Sequence, residues 1–474
     1  MNNFYRITLL MVCLLFTSAV TAQLKSQVPA ETKAAMGKTI ALPESVPQLQ
    51  RLAAKAYEQD KHRAFVKIME KLRQLRPLDT GYMYQLVLGY ALVDDKTAAY
   101  DLMLSMQQQG AAYDFNSTED SKNIRGTEVY EFVNKLMAQA GEPIGTVENI
   151  LTLADNVVLP EAIDWDPVNE AFLIGTITDG RILRIGGDGK STTIFQADNE
   201  NGMWSVFDIK VDAKRKIFWV SSAALPGFIG YQQKDFGRSA LFKFDLESGK
   251  LLQRLPMALD GNPHSFANIA LADDGSVYVA DSQAPVIYVL KPGDESAKLF
   301  VASPDLLSIR SLVLNKDNTY LYLSDYSKGL FVVNIKSGQM RPPLMPDTLN
   351  TSGIDGMYRW EDSLIVIQNG FQPSRVLRLQ LDDKGVEIVE MAALAVAQPV
   401  FDNPNFGVIR GDWLYYFANS HWGHVNAAGQ ASMPVKIIRT RVDEAPNKEN
   451  PILEEILEQM EKSKSPAADA DTEQ

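Results

Sequence analysis

The sequence predicts an all-β six-bladed β-propeller preceded by a smaller α-helical repeat domain. Three observations carry this reading. From residue 45 to 140 the apolar residues recur every three to four positions, the period of a helix buried along one stripe. After Gly141 the period falls to two, that of a β-strand. In this second region one strand pattern then returns six times: Ala171-Phe-Leu-Ile-Gly-Thr, Lys216-Ile-Phe-Trp-Val-Ser, Ser276-Val-Tyr-Val-Ala-Asp, Tyr320-Leu-Tyr-Leu-Ser-Asp, Ser363-Leu-Ile-Val-Ile-Gln and Trp413-Leu-Tyr-Tyr-Phe-Ala. Phe172, Phe218, Val277, Leu321, Leu364 and Leu414 hold equivalent places, 43 to 59 residues apart. Four short strands recurring about every 45 residues is the signature of propeller blades.

Residues 1–22 read as a secretory signal. Arg6 supplies the positive start, Leu9–Phe16 the apolar stretch, and Val20-Thr21-Ala22 a small-residue cleavage site before Gln23. The apolar run is short for a bilayer span of about 20 residues. The single cysteine, Cys13, lies inside it, so the mature chain would carry no thiol, which suits a periplasmic or secreted protein.

Leu49, Leu52, Ala53 and Ala56 share one helical face, and Phe65, Ile68, Met69 and Leu72 continue the pattern in a second helix closed by Leu75-Arg76-Pro77. Tyr84–Leu92 and Thr97–Met106 form another pair, joined at Val93-Asp94-Asp95, and Glu128–Ala140 a further helix. Helix pairs of about 34 residues with Leu88-Gly89-Tyr90 resemble tetratricopeptide (TPR) repeats over residues 45–140. Such a surface implies a protein partner.

The propeller is expected over 147–441. Turns such as Asp273-Asp274-Gly275 and hairpins such as Phe331–Gln339 punctuate the blades. The last blade shows three clear strands, Asn405–Arg410, Trp413–Ala418 and Val435–Arg441. The lone strand Val147–Leu153 is expected to complete it and close the ring. Residues 443–474 turn acidic; Pro451–Lys462 has the pattern of an amphipathic helix and the rest reads as disorder.

The net charge of −13 argues against a nucleic-acid binder. One cysteine excludes Cys-based metal sites, and four histidines leave little for a multi-His centre. Asn116-Ser117-Thr118 and Asn350-Thr351-Ser352 match the glycosylation acceptor pattern as short chance matches.

Inner strands of a propeller begin around its central channel. Their polar starts, Glu161, Asn268, Arg310, Asp355 and Asn405, are therefore expected to converge: two carboxylates, two amides and one guanidinium. Carboxylate and amide oxygens suit Ca²⁺. Residues 147–441 resemble the SMP-30/gluconolactonase-like six-bladed propellers, and more distantly paraoxonases and strictosidine-synthase-like proteins. Pro160-Glu161-Ala162-Ile163-Asp164-Trp165 is similar to that family's opening Glu-Gly-Pro-x-Trp motif. Asn268 precedes Asp274-Gly275 as the family's Asn-Asp-Gly position would, and Asp355-Gly356-Met357 matches its Asp-Gly-Met. The resemblance implies Glu161, Asn268 and Asp355 as metal ligands, Asp355 also as the base for lactone hydrolysis, and Ca²⁺ as cofactor. One position departs: Arg310-Ser311-Leu312 stands where Asn-Gly-Leu is expected. An Arg cannot bind a cation, and Ser311, one place on, is a poor ligand.

Asn262-Pro263-His264-Ser265 resembles a paraoxonase segment carrying a catalytic His. His421, Trp422 and His424 follow the second strand of the last blade and are binding candidates for the same face. Trp204 and Asp208 near the second blade's inner strand are pocket candidates. Two functions follow: a periplasmic lactone or ester hydrolase working in the channel mouth, or a non-catalytic module that binds a small molecule in the channel and a protein through its helices.

Overall fold

The structure, a computed structural model, describes residues 45–257, 260–426 and 429–444. The secretory reading of 1–22 and the tail readings beyond 444 lie outside the described residues.

Among the described residues five α-helices come first: α1 Val46–Glu58, α2 His62–Leu75, α3 Thr80–Leu92, α4 Lys96–Gln108 and α5 Glu128–Ala140, with two 3₁₀ turns before α5. The carboxylates of Asp79 and Asp95 and the hydroxyl of Thr127 cap α3, α4 and α5 by accepting backbone N–H groups, satisfying donors that a helix start leaves open. Asp60 and Asp94 end their helices in left-handed conformation, which gives very short turns between α1 and α2 and between α3 and α4. Leu49, Ala53 and Ala56 enter one core with Phe65, Ile68, Met69 and Leu72. Leu52 was expected on that face but is 40% exposed; at 3.6 residues per turn it sits about 60° from the stripe's centre. Among the described residues no helix is long and apolar enough to cross a membrane.

The remaining chain forms, among the described residues, six four-stranded antiparallel sheets. β1 (Glu148–Thr152) precedes the first complete blade, β2 Pro160–Asp166, β3 Ala171–Thr176, β4 Arg181–Gly186 and β5 Ser191–Gln196. Blade 2 is β6 Ser205–Asp212, β7 Ile217–Ala223, β8 Ser239–Asp245 and β9 Leu251–Pro256. Blade 3 is β10 Phe266–Leu271, β11 Val277–Asp281, β12 Val286–Leu290 and β13 Lys298–Ala302. Blade 4 is β14 Ile309–Leu314, β15 Tyr320–Asp325, β16 Gly329–Asn334 and β17 Met340–Arg341. Blade 5 is β18 Ile354–Trp360, β19 Ser363–Gln368, β20 Arg375–Leu381 and β21 Ile388–Val396. Blade 6 holds β22 Gly407–Arg410, β23 Trp413–Phe417 and β24 Lys436–Arg441, and its outer strand is β1, which pairs antiparallel with β24. The last sheet is thus built from both ends of the propeller sequence.

The inner strands β2, β6, β10, β14, β18 and β22 touch in a closed ring. Six apolar clusters fill the gaps between neighbouring blades; Ile209, Phe218 and Phe242, for example, pack on Ala162, Leu173 and Ile182 of blade 1. Strand alternation explains this: successive side chains point to opposite sheet faces, and both faces of every blade are covered. Since strand direction alternates within a blade, the starts of inner strands and the loops between second and third strands lie on one face, the channel mouth.

The helices dock on that same face, over blades 4 and 5. Asn350 Nδ2 and Ser352 Oγ both donate to the Leu78 carbonyl, each at 2.8 Å. Arg375 donates to the Gln109 carbonyl (2.9 Å) and to Gln368 Oε1 (2.6 Å), stacks on Phe371, and Phe371 joins the helical core. Burial without a carboxylate partner pushes Arg375 down to about 9. Asn350-Thr351-Ser352 is therefore a buried joint between the two parts of the chain.

Candidate functional site

At the start of the inner strands, pairing with the second strand skips a residue. The register breaks between Pro160 and Ala162, Val206 and Asp208, Ile309 and Ser311, and Ile354 and Gly356. A similar break lies between Phe266 and Ile269. A bulge frees a side chain from alternation and re-aims it. The skipped residues Glu161, Phe207, Arg310 and Asp355 hold one equivalent position in blades 1, 2, 4 and 5. Counting back from Ile269, Ala267 holds it in blade 3. Asn268 falls one place later, in the register of Asp208 and Ser311.

Glu161, Arg310 and Asp355 come together. Arg310 Nε lies 3.7 Å from Asp355 Oδ1, and the guanidinium carbon sits 5.3 Å from the Tyr326 ring centre. Asn369 holds the other Asp355 oxygen: its Nδ2 donates to Oδ2 (2.8 Å) and to the Pro404 carbonyl (2.9 Å), while its Oδ1 accepts from Tyr326 Oη (3.1 Å). Trp422 Nε1 donates to Glu161 Oε1 at 2.6 Å, and the indole is 40% exposed over this point. Burial pushes the Glu161 carboxyl up to about 8, and the Asp355 charge adds to this; the Trp422 bond and Arg310 oppose it. Asp355 Oδ1 and Asn405 Oδ1 are buried without a hydrogen-bond partner among the described residues. Gly356 has a reason as well: a Cβ there would lie 2.8 Å from the Tyr358 hydroxyl.

Tyr326, Asn369 and Phe207 were not singled out in the sequence. Tyr326 and Asn369 sit just after β15 and β19, at the mouth face, a place signal that strand counting alone can give. Deeper residues were missed too. Lys210 Nζ donates to Asp208 Oδ1 (2.9 Å) and faces Asp164. Burial pushes Asp164 up to about 6 and raises Asp208. Burial opposes the Lys210 charge, but the two carboxylates outweigh it and raise its pKa. These groups also stitch blades: Asp164 Oδ2 accepts from Val211 N (2.7 Å), Asp208 Oδ2 from Ile269 N (2.8 Å), Ser311 Oγ from Met357 N (3.1 Å), and the Tyr358 hydroxyl from Gly407 N.

No histidine makes a hydrogen bond or ion pair with Glu161, Arg310 or Asp355 among the contacts described above. His264 is buried between Asp281 (Nδ1 to Oδ2, 2.6 Å) and Asp260 (Nε2 to Oδ1, 3.1 Å), edge-on to Tyr288. Burial opposes its charge, but the two carboxylate hydrogen bonds outweigh that and raise its pKa. His421 accepts from Leu159 N on Nδ1 (3.1 Å) and donates from Nε2 to the Met433 carbonyl (2.6 Å). Burial, then the nearby His424, lowers its pKa. It joins the end of blade 6 to the entry of blade 1, beside Glu161. His424 lies 3.6 Å from Asp402, and Trp204 packs edge-on against Phe228.

The donor set at the mouth is a poor match for a resident Ca²⁺. Oxygens of Glu161, Asp355 and Asn405 are there, yet a guanidinium already faces the same Asp355 oxygen a cation would take. A separate cleft of about 450 Å³ lies between the helices and blade 5, lined by Tyr113, Asn134, Met137, Gln372, Ser374 and Phe401 among others, and does not include the mouth cluster.

Some solved structures match this chain at low identity. A PQQ-bound aldose sugar dehydrogenase from Streptomyces coelicolor is 12% identical, with 64% of this chain and 99% of that chain covered and a TM-score of 0.43. A luciferin-regenerating enzyme is 15% identical over 65% of this chain and 98% of that one, TM-score 0.45. A putative gluconolactonase is 13% identical over 63% and 94%, TM-score 0.42. At these identities the likeness is one of fold. No family model matches the chain, and no curated protein matches it.

Proposed function

We propose that the chain is an exported, gluconolactonase-like propeller that hydrolyses a small lactone or ester at the channel mouth, with Arg310 in the place of a metal ion. The observation that carries this reading is the meeting of Glu161, Asp355 and Arg310 on bulges of three different blades. Burial raises the Glu161 carboxyl and suits it to act as the acid, while Asp355 beside Arg310 is the base. Asp355, paired with Arg310, takes a proton from water as the water oxygen attacks the carbonyl carbon. The Arg310 guanidinium, whose side chain is 37% exposed, stabilises the oxyanion that forms. Glu161, with its carboxyl near 8, is protonated at neutral pH and gives its proton to the leaving alkoxide as the acyl C–O bond breaks. Solvent then carries the proton from Asp355 back to Glu161. The half-exposed Trp422 offers an apolar wall for the ligand.

Turnover in a panel of lactones and esters, unaffected by chelator and lost in Asp355→Asn, is the expected result. Arg310→Asn is expected to lose turnover and to gain Ca²⁺-dependent thermal stabilisation, roughly 2.7 kcal/mol at 100 times the dissociation constant. Tight Ca²⁺ binding by the unmutated chain in calorimetry would overturn the role given to Arg310. Export is tested by the mass of the secreted protein, expected to begin at Gln23.

One observation favours a second reading, a ligand-binding module without turnover. Asn369 donates to Asp355 Oδ2 and the Arg310 guanidinium faces Oδ1 at 3.7 Å, an arrangement that also suits holding a ligand without turning it over. A compound from the same panel that binds in calorimetry but is recovered unchanged would decide for binding.

A further inference from the structure

The face opposite the mouth carries a row of tryptophans and arginines. Inner strands end there, and second strands begin there. Arg410 stacks 3.9 Å from the Trp165 ring centre, and Arg439 4.0 Å from that of Trp413. Trp360 Nε1 donates to Asp412 Oδ1 (3.3 Å) and its ring faces Arg378. Arg410 and Trp413 are partners in the β22–β23 hairpin, so the two stacks are neighbours.

The described chain ends on this row. Arg441 Nε donates to Asp443 Oδ1 (2.9 Å), and Glu444 lies 3.4 Å from the same guanidinium. Arg378 donates to the carbonyls of Val442 (2.8 Å) and Asp443 (3.0 Å). The first acidic residues past β24 are thus already bound by arginines. The next cation along the row is Arg410, which is exposed and has no carboxylate partner among the described residues. Residues 445–474 contain eight acidic and three basic residues, together with Ile452, Leu453, Ile456, Leu457 and Met460. That combination complements an exposed arginine lying between half-buried indoles.

We propose that the acidic segment 445–474 docks back on this face, with carboxylates on Arg410 and apolar side chains against Trp165 and Trp413. A segment tethered this close has an effective concentration of order millimolar, so weak contacts suffice. Exposed charge pairs are screened by salt, with a Debye length of about 8 Å at physiological ionic strength. The docking therefore weakens at high salt, to the extent that charge rather than burial holds it.

The test uses the full chain with Cys13→Ser and Met460→Cys, labelled with bimane, whose emission tryptophan quenches on contact. The expected result is quenching in dilute protein at low salt. It is lost in Arg410→Glu, and lost in a Trp165→Phe/Trp413→Phe variant whose far-ultraviolet circular dichroism and cooperative melting show that it folds. Emission equal to that of the labelled free peptide 445–474 overturns the proposal. So does quenching that vanishes on dilution, which would assign the face to a second copy of the chain, or quenching untouched by Arg410→Glu.

Discussion

Glu161 holds the clearest conflict between stability and use. Its folded carboxyl is raised to about 8 from an ordinary 4.5. Below 4.5 both folded and unfolded chains keep the proton. As pH rises towards 8 only the unfolded chain releases it, so the fold loses stability across that window. Glu161→Gln is therefore expected to stabilise the protein at pH 8, on the order of 2 kcal/mol in urea melts, while abolishing turnover. An unchanged or lower midpoint at pH 8 would refute a buried neutral carboxyl. The two buried histidines act with opposite signs. His264, raised, supports the fold below its unfolded value of 6.5 and ceases to do so as pH climbs through its higher folded value. His421, lowered, costs stability as pH drops below 6.5 towards its folded value, because the unfolded chain gains a proton that the fold refuses. In melts from pH 5 to 9, His264→Asn is expected to flatten the alkaline slope to the part that Glu161 supplies, and His421→Asn to flatten the acid slope. At this scale sequence reading reached Glu161, Arg310 and Asp355 because they are charged residues at repeated places. It did not reach Asn369 or the Trp422–Glu161 bond, which join residues far apart in the chain. The alternating pattern also gave no sign of the bulges that set the register at the inner-strand starts, as between Phe266 and Ile269.

The strands were legible because each blade repeats the same apolar alternation, and the helices because their buried stripes keep a steady period. Leu52 escaped since a stripe's edge is set by packing, not by period. The second blade's inner strand was the weakest reading: Phe207 breaks the polar pattern of the other starts, and the long loop from Ala224 to Arg238 stretches the spacing. Among the elements, β1 has the plainest consequence. A chain beginning at residue 156 leaves β24 with an open edge and strips Ile150, Leu151 and Leu153 from the apolar cluster between blades 6 and 1. Such a chain is expected to aggregate, and a peptide spanning 147–153 is expected to raise its melting temperature by filling the vacant strand. No shift with the peptide would mean that closure is not set by β1.

For the molecule as a whole, the helices and the propeller are held by more than a linker. Arg375, Asn350 and Ser352 have their donors met by the carbonyls of Leu78 and Gln109, and these same loops lead into Asp355 and Asn369. Sequence reading placed both regions but not their joint, because Asn350-Thr351-Ser352 read as a chance glycosylation match and nothing singled out Arg375. Removing one partner of a buried hydrogen-bonded charge is costly. Arg375→Met is expected to destabilise the full chain by about 2–4 kcal/mol. In a propeller starting at residue 143 the same change is expected to cost less than about 1 kcal/mol, since the guanidinium there has already lost Gln109. Equal costs in the two backgrounds would argue that the joint contributes no coupling.

The pairing of β1 with β24 also fixes an order in time. The ribosome delivers Thr152 long before Lys436, and at ~5–20 residues per second the interval amounts to tens of seconds. Through that interval the helices can form on contacts near in sequence, whereas β1 waits without its partner. Its Glu148, Asn149 and Thr152 are suited to that wait, being polar residues around only two branched apolar ones. Every nascent chain is thus an open ring until its final sheet is made, and whatever protects newly made protein must attend this one until β24 has emerged.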